Sequence, residues 1–255
     1  MKALTAIILM AGLTATAQAT KGKLLWEENF DGQSLNETSW NYELGDGCPH
    51  ICGWGNNERQ VYTKDNHTVT DGNLIITAKK DGDKYTSTRI TTAGKKEFRY
   101  GYIEARAKVP VGHGIWPAFW MLGKDIKQVG WPMCGEIDIL EYIGREPDMA
   151  YTTLHYKDRH GDNANGKKTP MPDIEDGFHT YGVNWTADKI EFFIDGESVF
   201  SYAAPEAKTP ENWPFDQPFY ILVNMAVGGN FGGPKVDDSI FPQEYVIDYI
   251  RVYEN

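Results

Sequence analysis

Beyond its first nineteen positions this 255-residue chain holds no hydrophobic run long enough to cross a bilayer, since a spanning helix takes about 20 apolar residues. No membrane role is expected of the rest of the chain. Positive charge is in deficit, with 25 Lys and Arg against 36 Asp and Glu and a net charge of -11. A phosphate backbone calls for a basic face, so no nucleic-acid partner is expected, and a neutral polymer suits the balance better. Cysteine is scarce: three residues leave at least one unpaired or bonded to another molecule. Helical periodicity is nearly absent, and no repeat, linker or low-complexity tract interrupts the chain.

Strands fill the space that helices leave. Leu74 to Lys79, Tyr100 to Val109, Ile115 to Leu122, Tyr151 to Tyr156, His179 to Trp185, Ile190 to Ile194, Phe219 to Ala226 and Tyr245 to Tyr253 are rich in β-branched and aromatic residues. Turn pairs such as Asp71-Gly72 and Asp195-Gly196 fall between them. The pattern predicts an all-β sandwich or barrel of the jelly-roll kind in one domain, residues 20–255. Residues 1–19 read as a signal peptide: Lys2, an apolar run from Ala3 to Leu13, and the small-residue site Ala17-Gln18-Ala19. A secreted or periplasmic chain starting at Thr20 is expected.

The chain is organised around the stretch Cys134-Gly135-Glu136-Ile137-Asp138-Ile139-Leu140-Glu141. Its acids are interleaved with aliphatic residues, as in a buried strand. Alternation puts Cys134, Glu136 and Asp138 on one face and Ile137 and Ile139 on the other, which leaves Glu141 out of step. One extra residue bulging the strand between Ile139 and Glu141 would return all three acids to a single surface. Glu136 and Glu141 would then stand roughly 13 Å apart along the backbone, at ~3.3 Å per residue, and leaning side chains could bring their carboxyls to about 5 Å, the separation of a retaining glycosidase. Three crowded acids cannot all ionise at their ordinary pKa, so at least one keeps a proton, as a general acid must. An acidic strand edge or a cation site is the competing reading, disfavoured by the interleaved Ile and Leu.

Aromatics are the surplus, with 8 Trp, 14 Tyr and 11 Phe. Alternation places Trp116 and Trp120 on one face and Phe119 on the other. Two readings stay open there: a platform on which sugar faces stack, or a pair of core tryptophans. Cys48 and Cys52 are the expected disulfide pair, in a loop so short that closing it removes little chain entropy. A metal site of Cys48, His50 and Cys52 is the alternative, and Cys134 is expected to stay a thiol beside the acids.

The acid run, together with Gly53-Trp54-Gly55-Asn56-Asn57-Glu58, Gly114-Ile115-Trp116-Pro117-Ala118-Phe119-Trp120-Met121, Asn224-Met225-Ala226-Val227-Gly228-Gly229 and Asp248-Tyr249-Ile250-Arg251-Val252-Tyr253, resembles bacterial laminarinases of glycoside hydrolase family 16. The resemblance covers nearly the whole mature chain. It implies a jelly-roll of two curved antiparallel sheets with a concave groove. It also implies Glu136 as nucleophile, Glu141 as acid/base and Asp138 as their modulator. Trp116 and Trp120 would stack glucosyl units before the cleaved bond; Asn56, Arg89 and His155 would line the groove, and Trp131 would border it. No cofactor for catalysis is implied. A structural calcium is, held by Asn29, Gly72 and Asp248, and this chain departs from many relatives in having Asn rather than an acid at position 29. The expected activity is endo-hydrolysis of β-1,3-glucan by a monomer. Mixed-linked glucan, agar or carrageenan hydrolysis and a non-catalytic glucan-binding role are the alternatives.

Overall fold

The computed structural model describes residues 21–255, and the expected signal segment lies outside the described residues. The first nine strands are β1 (Leu24–Glu28), β2 (Asn41–Tyr42), β3 (Gln60–Tyr62), β4 (His67–Thr70), β5 (Asn73–Asp81), β6 (Lys84–Ser87), β7 (Arg89–Thr91), β8 (Glu97–Phe98) and β9 (Gly101–Lys108). The remainder are β10 (Ile115–Gly123), β11 (Glu136–Glu141), β12 (Met149–His155), β13 (Asn165–Pro170), β14 (His179–Trp185), β15 (Lys189–Ile194), β16 (Glu197–Ala203), β17 (Phe219–Val227) and β18 (Gln243–Tyr253). Among the described residues helix is confined to single turns such as α1 (Ile126–Val129) and α2 (Gly229–Gly232).

The strands build two sheets, as the family resemblance implies. One runs β16-β15-β14-β9-β18-β5-β6-β3, with β1 on β18 and β4 on β5. The other runs β13-β12-β11-β10-β17-β7-β2, with β8 on β17. Pairing is antiparallel except between β3 and β6. Chain neighbours are often not sheet neighbours: β17 inserts between β10 and β7, the crossing of jelly-roll connectivity.

One core fills the space between the sheets. From β10 it takes Ile115, Phe119 and Met121, from β14 Tyr181, Val183 and Trp185, and from β18 Tyr245, Ile247, Ile250 and Val252. Each set follows the two-residue period of its strand except where a bulge shifts β18 between Ile247 and Tyr249. All eight apolar runs named from sequence are strands. The overlooked strands are short or lie at sheet edges. β13, Asn165-Gly166-Lys167-Lys168-Thr169-Pro170, has no apolar face because it ends its sheet and stays largely in water.

The bulge in β11 is present, one step earlier than expected. Against β10, Phe119 pairs with Leu140 and Trp120 with Asp138, so Ile139 is the unmatched residue. Against β12 the register likewise slips between Asp138 and Glu141. Ile137, Ile139 and Leu140 all enter the core, fully buried. Two consecutive apolar residues thus share one face, and the opposite face receives Glu136, Asp138 and Glu141.

Candidate active site

β11 lies between β10 and β12, so its acids are flanked by tryptophans on one side and by polar residues on the other. Glu136 faces Leu122 and His155 in register, Asp138 faces Trp120 and Thr153, and Glu141 faces Ala118 and Tyr151. Each acid has a different environment. Glu136 keeps some solvent contact and accepts a hydrogen bond at Oε2 from Trp131 Nε1 at 2.8 Å. Asp138 is 3% exposed, and its Oδ2 has no hydrogen-bond partner, with His155 Nε2 3.3 Å away. Glu141 accepts from Trp116 Nε1 at 3.1 Å and from Thr153 Oγ1 at 3.4 Å.

Those environments separate the protons. Burial, followed by the negative charge of Glu136 and a hydrogen bond shared with it, holds Asp138 well above the ordinary carboxylate range. Burial and then the charge of Asp138 raise Glu141 to about 8, against the pull of His155 and the Trp116 hydrogen bond. A protonated carboxyl at Glu141 at neutral pH, beside a solvent-touched Glu136 that accepts an N–H, is the acid-and-nucleophile division that glycoside cleavage uses.

His155 is oriented by the loop that follows its strand. The backbone N–H of Gly161 donates to Nδ1 at 3.2 Å, so in the neutral ring the proton sits on Nε2. That nitrogen points at Asp138 and lies 3.9 Å from Glu136 Oε1. Trp131, 48% exposed, has its ring 5.9 Å from that of His155 and 5.5 Å from that of His160.

The tryptophans of β10 belong to the acid-bearing face, not to the core between the sheets. Trp116 and Trp120 are both part-exposed, whereas Phe119 between them is fully buried in the core. Trp116 meets Phe231 of α2 edge-on at 5.5 Å. Trp120 Nε1 donates to Asn224 Oδ1 at 2.7 Å. Arg89 pairs with Glu43 through Nε, and its guanidinium lies between the rings of Trp54 and Trp120, at 4.5 and 4.9 Å. Asn56 does not reach the acids of β11; its Nδ2 donates to Glu58 Oε1 at 3.2 Å.

Cys48 and Cys52 are joined in a disulfide, which removes the metal reading of Cys48, His50 and Cys52. Cys134 is a free, fully buried thiol, pushed up to about 12 by burial and then by the charge of Glu136. The Asn29 carbonyl oxygen and Asp31 Oδ1 both lie 3.9 Å from where a Cβ on Gly72 would stand. Asp248, however, gives its carboxylate to Arg106 at 2.5 Å, and the Asn29 amide oxygen accepts from Arg251 at 3.2 Å. Calcium takes about six to eight oxygens with carboxylates among them. Arg106 takes only Oδ2 of Asp248 and Arg251 only the side-chain oxygen of Asn29, so neither guanidinium engages the Asn29 carbonyl oxygen beside Gly72.

Several residues near the site had no role assigned from sequence: Trp54, Glu58, Tyr62, Thr153, Asn224 and Phe231. Asn224 carried a usable signal, a lone amide inside the apolar run Phe219–Val227, all nine residues of which are buried. A polar group there needs a partner. Glu58 has partners close by in Asn56, Gln60 and Tyr62, but what ties that cluster to the site, the Tyr62–Asn224 bond, is distant in sequence.

Comparison with known proteins agrees with this geometry. The model for glycosyl hydrolases family 16 matches residues 55–251. A beta-glucanase of Rhodothermus marinus is 39% identical over 261 residues, spanning 96% of this chain and 89% of that protein. The crystal structure of a laminarinase from Flavobacterium sp. UMI-01 superposes with a TM-score of 0.89 at 63% identity, over 91% of this chain and 100% of that one. The laminarinase catalytic domain of Thermotoga maritima, in complex with cetyltrimethylammonium bromide, gives 0.86 at 40% identity, over 92% and 99%.

Proposed function

The chain belongs to glycosyl hydrolase family 16, and from that premise we propose that it is an endo-acting β-1,3-glucanase that cleaves laminarin-type glucans with retention at the anomeric carbon. The observation that carries the reading is the bulged β11, which gives Glu136 and Glu141 one face and two different indole donors.

In the first step Glu136 attacks the anomeric carbon. The bond to the glycosidic oxygen breaks as Glu141 delivers its proton to that oxygen, and a glycosyl ester forms on Glu136. In the second step Glu141, now a carboxylate, takes a proton from water, and the resulting hydroxide displaces the ester and frees Glu136. Trp131 supports the charge on Glu136 before attack and after release. Asp138, whose carboxyl is held well above its ordinary range by burial and then by the charge of Glu136, modulates the nucleophile beside it. Trp116 and Trp120 offer part-exposed rings for glucosyl faces. Each step uses the chain's own side chains and water.

The chain acts as a monomer, exported to the periplasm or medium and beginning at Thr20. Support for export is the charged, apolar and small-residue order of residues 1–19; the intact mass of the exported protein checks the cleavage site.

A product profile on laminarin, mixed-linked barley glucan and agarose tests the activity. Short mixed oligosaccharides released early from laminarin, with the β-anomer seen first by NMR, are expected. Release of monosaccharide alone, or first appearance of the α-anomer, would overturn the endo or the retaining part respectively. Glu136→Gln and Glu141→Gln should fold normally and lose at least about 10²- to 10⁴-fold in rate, the range of a removed acid/base group.

A further inference from the structure

An indole N–H can only donate, and this fixes the direction of a buried hydrogen-bond chain that starts at Trp120. Trp120 Nε1 takes the oxygen of the Asn224 amide, so Asn224 Nδ2 points away and donates to the Tyr62 hydroxyl at 3.0 Å. Having accepted there, Tyr62 gives its own proton to Glu58 Oε2 at 3.2 Å. Gln60 Nε2 reaches the same oxygen at 2.6 Å and Asn56 Nδ2 reaches Oε1 at 3.2 Å. Gln60 cannot turn its oxygen to Glu58 instead, because Oε1 accepts from the backbone N–H of Val227 at 2.8 Å.

Three donors therefore converge on the two oxygens of one carboxyl, two on Oε2 and one on Oε1. Its surroundings are nearly dry: Gln60 is 0% exposed, Tyr62 1%, Asn224 5% and Glu58 9%. A charge in such a place needs a counter-charge. Burial raises the Glu58 carboxyl above its ordinary value, and the attraction of Arg89, from its place between Trp54 and Trp120, opposes that rise. Glu58 thus sits at the end of two lines of force that both lead to the Trp120 ring, one through hydrogen bonds and one through the guanidinium.

We propose that Glu58 is a positioning residue that sets the orientation of the Trp120 indole and so tunes glucan affinity, acting through Tyr62 and Asn224. The proposal rests on the glucanase reading above for its substrate and on the hydrogen-bond chain for its mechanism. A neutral amide at position 58 offers one acceptor oxygen and adds two donors to a site already crowded with them. Tyr62 then loses its acceptor, and the order fixed by Trp120 is no longer enforced from the far end.

The test is a double-mutant cycle on laminarin hydrolysis. Glu58→Gln and Tyr62→Phe should each raise KM roughly tenfold, the size of a hydrogen bond to a charged group, with kcat within about twofold of the parent. In a Trp120→Phe background, which has no indole N–H to orient, the same changes should add less than about twofold. Tyr62→Phe keeps the ring and the charge, so it carries the test if Glu58→Gln does not fold. Unchanged KM in both single variants, or effects that multiply fully with Trp120→Phe, would overturn the proposal. Indole fluorescence with a laminarioligosaccharide reads the same cycle as affinity. A wild-type chain that binds the oligosaccharide but does not cleave laminarin would sink the activity reading alone.

Discussion

Trp116 Nε1 stands 3.1 Å from Glu141 Oε1, so a ring that faces the sugar side of β10 also holds the buried acid of β11. A donor at that distance favours the charged form of the carboxyl and offsets part of the rise caused by burial. Trp116→Phe removes the donor and keeps most of the ring. The alkaline limb of kcat/KM, set near pH 8 in the parent, should move to higher pH, while kcat falls because the acid is less well aimed. A pH–rate profile checks this; an unmoved limb would mean that another group titrates there.

Glu141 should also leave a mark on stability. Its folded pKa, about 8, lies above the ordinary carboxyl value because of burial and Asp138, so the folded chain binds the proton more tightly than the unfolded one. The resulting stability is complete below the unfolded pKa of about 4.3, diminishes as pH rises towards 8, and is gone above it. Glu141→Gln cannot lose a proton. Its Tm should therefore fall less than that of the parent between pH 5 and pH 8, as calorimetry across that range would show, and parallel curves would contradict the assignment.

Trp131 is the sole tryptophan donor to Glu136, at 2.8 Å. Trp131→Phe leaves that oxygen without its indole partner, in a position where charge returns each time the glycosyl ester is released. We expect kcat to drop about tenfold, the order of one charged hydrogen bond, with the slower release visible as accumulated intermediate in a pre-steady-state burst. Equal losses in binding and rate would instead assign Trp131 to sugar stacking.

The cysteines make a counting prediction. Cys134 is buried with its thiol pushed up to about 12, and Cys48 and Cys52 are bonded to each other. A thiol reagent at neutral pH should therefore find no reactive group in the folded chain, one after denaturation, and three after reduction. A reactive thiol in the folded state would place Cys134 at the surface or open the bridge.

The acid site was legible in sequence to an unusual depth because a strand's side-chain period is local. Glu136 and Asp138 fall on one face by alternation, and Glu141 could join them only through a bulge. The bulge exists, displaced to Ile139 because both Ile139 and Leu140 are drawn into the core. Arg89 illustrates the limit. The resemblance put it on the groove, and nothing near it in sequence foretold that it would bond to Glu43 while lying against Trp120. Asp248 shows the limit from the other direction, since nothing near it in sequence foretold that Arg106 would take its carboxylate.

By itself the sequence determined which segments become strands, which faces are apolar, and that three acids must share a surface, for these depend on neighbours within a few residues. Only the tertiary structure decided who stands opposite whom. Tyr62 and Asn224 are 162 positions apart, and Trp120 and Asn224 are 104 apart. The second pair exists because β17 lies beside β10, and the first because β3, at the end of the other sheet, comes against β17. The proton on Glu141, the donor on Glu136 and the chain behind Trp120 all follow from that order rather than from local pattern.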